Sequence, residues 1–410
     1  MTSLRRAAAA LVVAATLASP GPLPAQQRAP ASLVAAARAV TLEIAGLRGL
    51  AVREPVDFRV SDRATIRAYA RASLEREMPA GRWAAYEALL SHTGLVPDTV
   101  ELSDLVLSLY TEQIAGYYDP ARKTFYLADW LPRLLQRAVV AHEATHALQD
   151  QHFDLDRWLS ELSPTEDGAL ARAAVAEGDA MATMLAYLLV PTGASLDDLP
   201  GVGELLRRNA GASRAAFPTF DAAPRALQRL LLFPYVEGAD FVLASRRRGG
   251  WRAVDRLYRE PPESSEQILH PELYWETRDD PRAVEPPTGA PGDSLLTSGS
   301  WGEFGLSLVL EAALEDSTDA REAARGWDGD RYALWRAPDG ALAYRWSLVW
   351  DSTDAAERFA EAYARATVAR FPGSARFTTG EGRFEFEGSG RALDLTWSGD
   401  RVEVREHSAP

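Results

Sequence analysis

At 410 residues the chain is long enough for two or three domains and a sizeable core. Its 47% hydrophobic and 25% charged residues are those of a globular protein. A formal net charge of −14 argues against nucleic acid as a partner, and the absence of cysteine excludes disulfides, a thiolate metal site, a cysteine nucleophile and lipidation at cysteine.

Residues 1–25 stand apart. Arg5 and Arg6 give a short basic start, Ala7 to Ala18 is apolar except for Thr16, and Pro20, Gly21, Pro22 and Pro24 break the run ahead of Ala25. The pattern predicts a secretory signal peptide cut near Ala25, and hence a secreted or periplasmic protein. The run is shorter than the roughly twenty residues a span requires, so no stable membrane span is expected after cleavage. The next best candidate, Ala180 to Val190, stops at Pro191.

Downstream, helical spacing predicts a helix near Ser32 to Val40, and Val56 to Val60 reads as a short strand. Asp62 suits a helix cap ahead of Ile66, Tyr69, Ala70, Ser73 and Leu74. Trp83, Tyr86, Leu89 and Leu90 mark another helix, and Ser103 or Asp104 caps a third running to Ile114. Gly116 to Leu127 reads as a hairpin turning at Asp119-Pro120. Either it packs on the core as an ordinary hairpin, or its edge pairs with an extended peptide.

The chemistry is concentrated in His142-Glu143-Ala144-Thr145-His146. The stripe Leu135, Ala138 and Val139 predicts a helix here. On that helix His142 and His146 lie one turn apart on one face, where two imidazoles can share a tetrahedral zinc. Glu143 sits about 100° around the helix, beside the metal, where its carboxylate can take a proton from water. Asp150, one turn past His146, is either an acceptor that orients His146 or an exposed charge. His152 reads as surface or packing.

Zinc needs a third protein ligand and an open position. Gly168 to Val190 reads as a helix apolar nearly all round, interrupted by Glu177 and Asp179. Glu177 shares a face with Leu170, Ala173, Ala174, Ala180, Met181 and Met184. A carboxylate there is costly unless paired or metal-bound, so Glu177 is the expected ligand, with a salt bridge or cap as the alternative. Asp179 points elsewhere and can hydrogen-bond a ligating histidine.

His142-Glu143-x-x-His146 with a downstream helical Glu177 resembles the gluzincin zinc metallopeptidases. The string His142-Glu143-Ala144-Thr145-His146-Ala147-Leu148-Gln149-Asp150-Gln151, followed by Glu177-Gly178-Asp179-Ala180, also resembles a group of poorly characterised bacterial H-E-x-x-H proteins. The resemblance runs from Tyr117 to Val190 and implies one zinc per chain, a glutamate general base and a peptide or protein substrate. In one respect the chain departs from the pattern: many gluzincins carry Asp four residues after the ligand Glu, where this chain has Met181.

Pro191 to Pro224 is rich in Gly, Ala, Asp and Pro and predicts a mobile loop bordering the site. Leu227 to Phe233, Tyr235 to Arg246 and Trp251 to Tyr258 read as helices. Glu237-Gly238-Ala239-Asp240 briefly echoes Glu177-Gly178-Asp179-Ala180. Ser264 or Ser265 caps a short helix ended by Pro271. There His270 either reaches the site as an oxyanion donor or caps that helix, and Tyr117, Tyr118 and Tyr235 compete for the donor role. Asp280 to Asp293 reads as a linker and Phe304 to Leu314 as a helix. Beyond Gly326 come a hairpin turning at Pro338-Asp339-Gly340, a helix from Thr353 to Phe371, and strands over Arg383–Glu387 and Ala392–Val404.

The expected architecture is thus α+β. A signal peptide (1–25) precedes a mainly helical, zincin-like metallopeptidase domain with a small edge hairpin (26–295), and a small ββαββ unit follows (296–410). The expected activity is zinc-dependent peptide hydrolysis with Glu143 as base. A non-catalytic, zinc-containing envelope binding protein is the alternative, and hydrolysis of a non-peptide amide fits the same residues.

Overall fold

The computed structural model describes residues 31–408, except 79, 114, 120–121, 132, 161–164, 197–200, 204–205, 208–216 and 373–375. The signal segment, the hairpin turn at Pro120 and much of the stretch between Pro191 and Pro224 lie outside the described residues.

The chain is a mixed α+β fold, mainly helical in its first two thirds. Helix α1 (Ala31–Arg48) leads to strand β1 (Asp57–Ser61), then to α2 (Arg63–Glu77), α3 (Ala80–His92) and α4 (Leu102–Gln113). Asp62 caps α2, its side chain accepting from the Thr65 amide. Strands β2 (Gly116–Asp119) and β3 (Thr124–Ala128) form the hairpin. β1 joins β3 in parallel, so the order β1-β3-β2 leaves β2 at an edge. Next come α5 (Arg133–Phe153), which carries both motif histidines, α6 (Leu155–Ser160) and α7 (Glu166–Leu189), which is capped by Thr165. By length and composition α7 with the turn after it could cross a membrane. The sequence estimate from Ala180 onward was too short, because the apolar window opens earlier. Yet 72% of that window is buried inside the protein, as the core helix of a globular fold would be.

Helix α8 (Pro218–Ala222) precedes α9 (Arg225–Arg259), the longest element. A break at Pro234 was expected, but the helix runs through it. The real break is Gly249-Gly250, where Gly250 has φ 65°. α9 and α7 cross in contact at two glycines. A Cβ on Gly178 would meet Gly238 O at 2.1 Å, and one on Gly238 would meet Ala174 O at 2.2 Å. The echoed Glu-Gly motifs therefore mark one helix crossing. Backbone faces backbone, so no side chain can move to make room. Gly178→Ala is expected to cost about 3 kcal/mol or more, at the upper end of overpacking effects, read as a shifted denaturation midpoint.

Two short helices, α10 (Ser265–Leu269, capped by Ser264) and α11 (Pro271–Trp275), lead to the C-terminal sheet. That sheet has seven strands rather than the four of a ββαββ unit, in the order β4-β5-β6-β10-β9-β8-β7. They are β4 (Ser294–Gly299), β5 (Trp327–Arg336), β6 (Leu342–Trp350), β7 (Arg376–Gly380), β8 (Arg383–Gly388), β9 (Arg391–Ser398) and β10 (Arg401–Ser408). The two edge strands, β4 and β7, escaped the sequence pattern because neither presents an alternating apolar face. β4 straddles the expected boundary at 295/296. Helices α12 (Gly302–Glu311) and α13 (Ser317–Ala324) lie between β4 and β5, and α14 (Thr353–Arg370) between β6 and β7. One core cluster contains buried residues from α1 through β10.

His92, at the end of α3, ties the helical part to the sheet. Arg391 donates to its Nδ1 at 2.6 Å, and its Nε2 lies 3.4 Å from Glu406. Burial, aided by the Arg391 and Arg370 charges and opposed by Glu406, pushes the imidazole down to about 4. Between that value and the ordinary value near 6.5 the unfolded chain binds more protons than the folded one. The stabilisation is therefore present above about 6.5 and lost as the pH falls toward 4, a loss of roughly 3 kcal/mol. His92→Gln is expected to flatten this window in denaturation midpoints measured against pH.

Candidate metal centre

Helices α5 and α7 pack side by side and bring three donor atoms to one point. His142 Nε2 and His146 Nε2 are 3.1 Å apart, and Glu177 Oε2 lies 3.2 Å from the first and 3.4 Å from the second. A tetrahedral ion with bonds of about 2.0–2.1 Å separates its ligand atoms by roughly 3.3 Å. The spacing is one a single tetrahedral metal ion could bridge. It is reached because His142 and His146 are one turn apart, while the Gly178–Gly238 crossing seats α7 deep in the core.

The three groups also form a buried charge cluster. Glu177 is 1% exposed, and its Oε2 faces both rings. A carboxylate at such depth is costly unless a cation, a protonated imidazole or a metal ion, meets it. The donor set of two imidazoles and one carboxylate, with no thiolate, fits a divalent transition metal, zinc included, and would leave a position for water. Burial works to raise the Glu177 carboxyl, yet the two histidines win and hold it below its ordinary value. Burial likewise works to lower His146, but Glu177 foremost, with Glu143 and Gln149, pushes it up to about 9.

Glu143 is on the same helix but outside the trio, as its offset requires. Burial, with a smaller push from Glu177, raises its carboxyl, against the pull of the two histidines and of the Tyr118 amide. That amide donates to Glu143 Oε2 at 3.1 Å. Since Tyr118 belongs to β2, the edge strand directs an N–H at the catalytic candidate rather than at β3.

The remaining expected site residues fall elsewhere. Asp150 does not orient His146: it accepts from the Tyr118 hydroxyl at 3.0 Å and from Lys123 Nζ at 2.7 Å. Gln149 takes the expected place, with its Oε1 2.9 Å from His146 Nδ1. Asp179 touches no histidine. It accepts from Arg48, Gln149 and Tyr258, reaching His146 only through Gln149. His270 ends α10 as its C-cap residue, the capping alternative, and its ring pairs with Glu303 at 2.9 Å. His152 lies 2.8 Å from the Ala51 carbonyl, a packing contact. Among the competing tyrosines, Tyr235 is fully buried and stacks at 6.2 Å on the His142 ring. Tyr117 stacks between Tyr69 and Tyr126.

A family described as a domain of unknown function (DUF8575) matches residues 294–410. The match begins on the first residue of β4 and covers the seven-stranded sheet with its helices. It leaves His142, Glu143, His146 and Glu177 outside. No curated protein and no solved structure matches the chain.

Proposed function

We propose that the protein is a secreted zinc-dependent metallopeptidase of zincin type. The observation that carries this reading is the buried His142–His146–Glu177 trio with Glu143 beside it and outside it. Bound zinc would supply a Lewis acid that polarises a carbonyl and lowers the pKa of water. Glu143 would accept the proton of the attacking water and pass it to the leaving amine, a task helped by a carboxyl raised by burial. β2 is the edge strand beside Glu143, the place where an extended peptide would pair, although Gly116, Tyr117 and Asp119 are buried in this structure.

Depth favours a second reading. Glu143 is 5% and His146 7% exposed, so little of the centre meets solvent. A non-catalytic envelope protein would keep zinc in so closed a site as a structural element while its C-terminal sheet binds a partner. A base beside the metal would serve no purpose there, which favours the enzyme. Metal analysis of the purified chain, with cleavage of a broad peptide library, tests both readings. The peptidase reading requires about one zinc per chain and cleavage. Zinc without cleavage selects the structural reading, and a chain without metal overturns both.

A further inference from the structure

We infer that Gln149 is a positioning residue that commits His146 to the tautomer with Nδ1 protonated and Nε2 free for a metal, and that Asp179, clamped by Arg48 and Tyr258, fixes which way the Gln149 amide faces. The inference takes its purpose from the zinc reading above, but its geometry needs no metal.

The chain of constraint starts at Arg48, the last residue of α1, which is 1% exposed. Its Nε donates to Asp179 Oδ1 at 2.7 Å and its Nη2 to Asp179 Oδ2 at 3.2 Å. Arg48 Nη1 lies 2.8 Å from Asp255, and the guanidinium stands 4.8 Å over the Trp251 ring. The Tyr258 hydroxyl donates to Asp179 Oδ2 at 2.9 Å. The guanidinium donates to both oxygens of Asp179 and the Tyr258 hydroxyl to Oδ2, so Asp179 faces its neighbours as an acceptor.

Gln149 is fully buried against this acceptor. Its Nε2 lies 3.1 Å from Asp179 Oδ2 and 3.0 Å from the Ala176 carbonyl. An amide NH2 has two hydrogens, and both are used here. The flipped amide would set its oxygen against two acceptors in a dry interior, so that orientation is excluded. Oε1 must then face His146 Nδ1, which must carry the proton. A neutral imidazole has one N–H, so Nε2 keeps its lone pair, directed at the point shared with His142 and Glu177. His142 has no such guide: its buried Nδ1 has no hydrogen-bond partner. Of the two motif histidines, the one held through its Nδ1 is therefore His146, and the clamp begins at Arg48, 131 residues from Asp179 in sequence.

The test reads the tautomer directly. Ring 15N shifts of His146 are recorded in metal-free protein, held at a pH above its titration. Zinc affinity is measured separately by chelator competition. Wild type should show the Nδ1–H pattern. Gln149→Met keeps the bulk but removes the acceptor, and should give a mixture of tautomers with zinc binding ten- to a hundred-fold weaker. Gln149→Glu sets a carboxylate against Asp179 and the Ala176 carbonyl and should weaken zinc similarly. The tautomer is a readout that a merely structural role would not move. A fixed Nδ1–H pattern in Gln149→Met overturns the inference. Wild type that shows the fixed tautomer but binds no zinc would sink the metallopeptidase reading and leave this one standing.

Discussion

Glu143→Gln is expected to retain zinc and the fold while lowering peptidase turnover a hundred-fold or more, the order of general-base contributions. The substitution isolates one property. The Tyr118 amide still finds an acceptor in the new side chain, so β2 stays docked on α5. The three donor atoms are untouched, since Glu143 is not among them. What disappears is the ability to take a proton from water and return it to an amine. Turnover on a peptide cleaved by wild type, with metal content measured on the same samples, separates the cases. Equal turnover in wild type and variant at equal zinc would remove Glu143 as the base. Loss of zinc along with activity would show that Glu143 holds the site together rather than working in it.

The residues of the centre were legible because their positions obey helix geometry. His142 and His146 are one turn apart, and Glu177 is a carboxylate on a face otherwise lined with Ala, Leu and Met. Its partners were legible only in part. Gln149 lies three residues after His146, on the same face, and that spacing was the available signal; a glutamine so placed otherwise reads as surface. The Arg48–Asp179 pair joins residues 131 apart and follows no period. The pairing of His270 with Glu303 was hidden for a related reason, since Glu303 comes from a helix whose docking no local pattern records. In the sheet, the central strands β5, β6 and β8 to β10 alternate or carry turn residues between them. β4, whose outer residues face solvent, carries no such mark. Pro234 shows the opposite error. A strong local breaker is overridden because Tyr235 and Val236 are buried on the same helix that holds Phe233.

Glu177→Gln should weaken zinc binding by an order of magnitude or more, and Glu177→Ala further. The two readings of this residue differ most under the conservative change. As a structural acid, Glu177 would sit between two imidazoles as a hydrogen-bond acceptor, and an amide could replace it with zinc affinity unchanged. As a ligand, it supplies the only negative charge among the three donors, and an amide oxygen cannot replace that charge. The geometry serves either role: Oε2 lies within 3.4 Å of both Nε2 atoms, as an ion-pair acceptor or as a ligand would, so the substitution decides between them. Chelator competition on both variants gives the answer. Glu166→Gln serves as the control, since its carboxylate accepts from the Ser300 amide, away from the trio. His142→Ala and His146→Ala should lose the metal outright. Unchanged affinity in Glu177→Gln, with loss in the two histidine variants, would leave two ligands in place and send the search for the third to another residue.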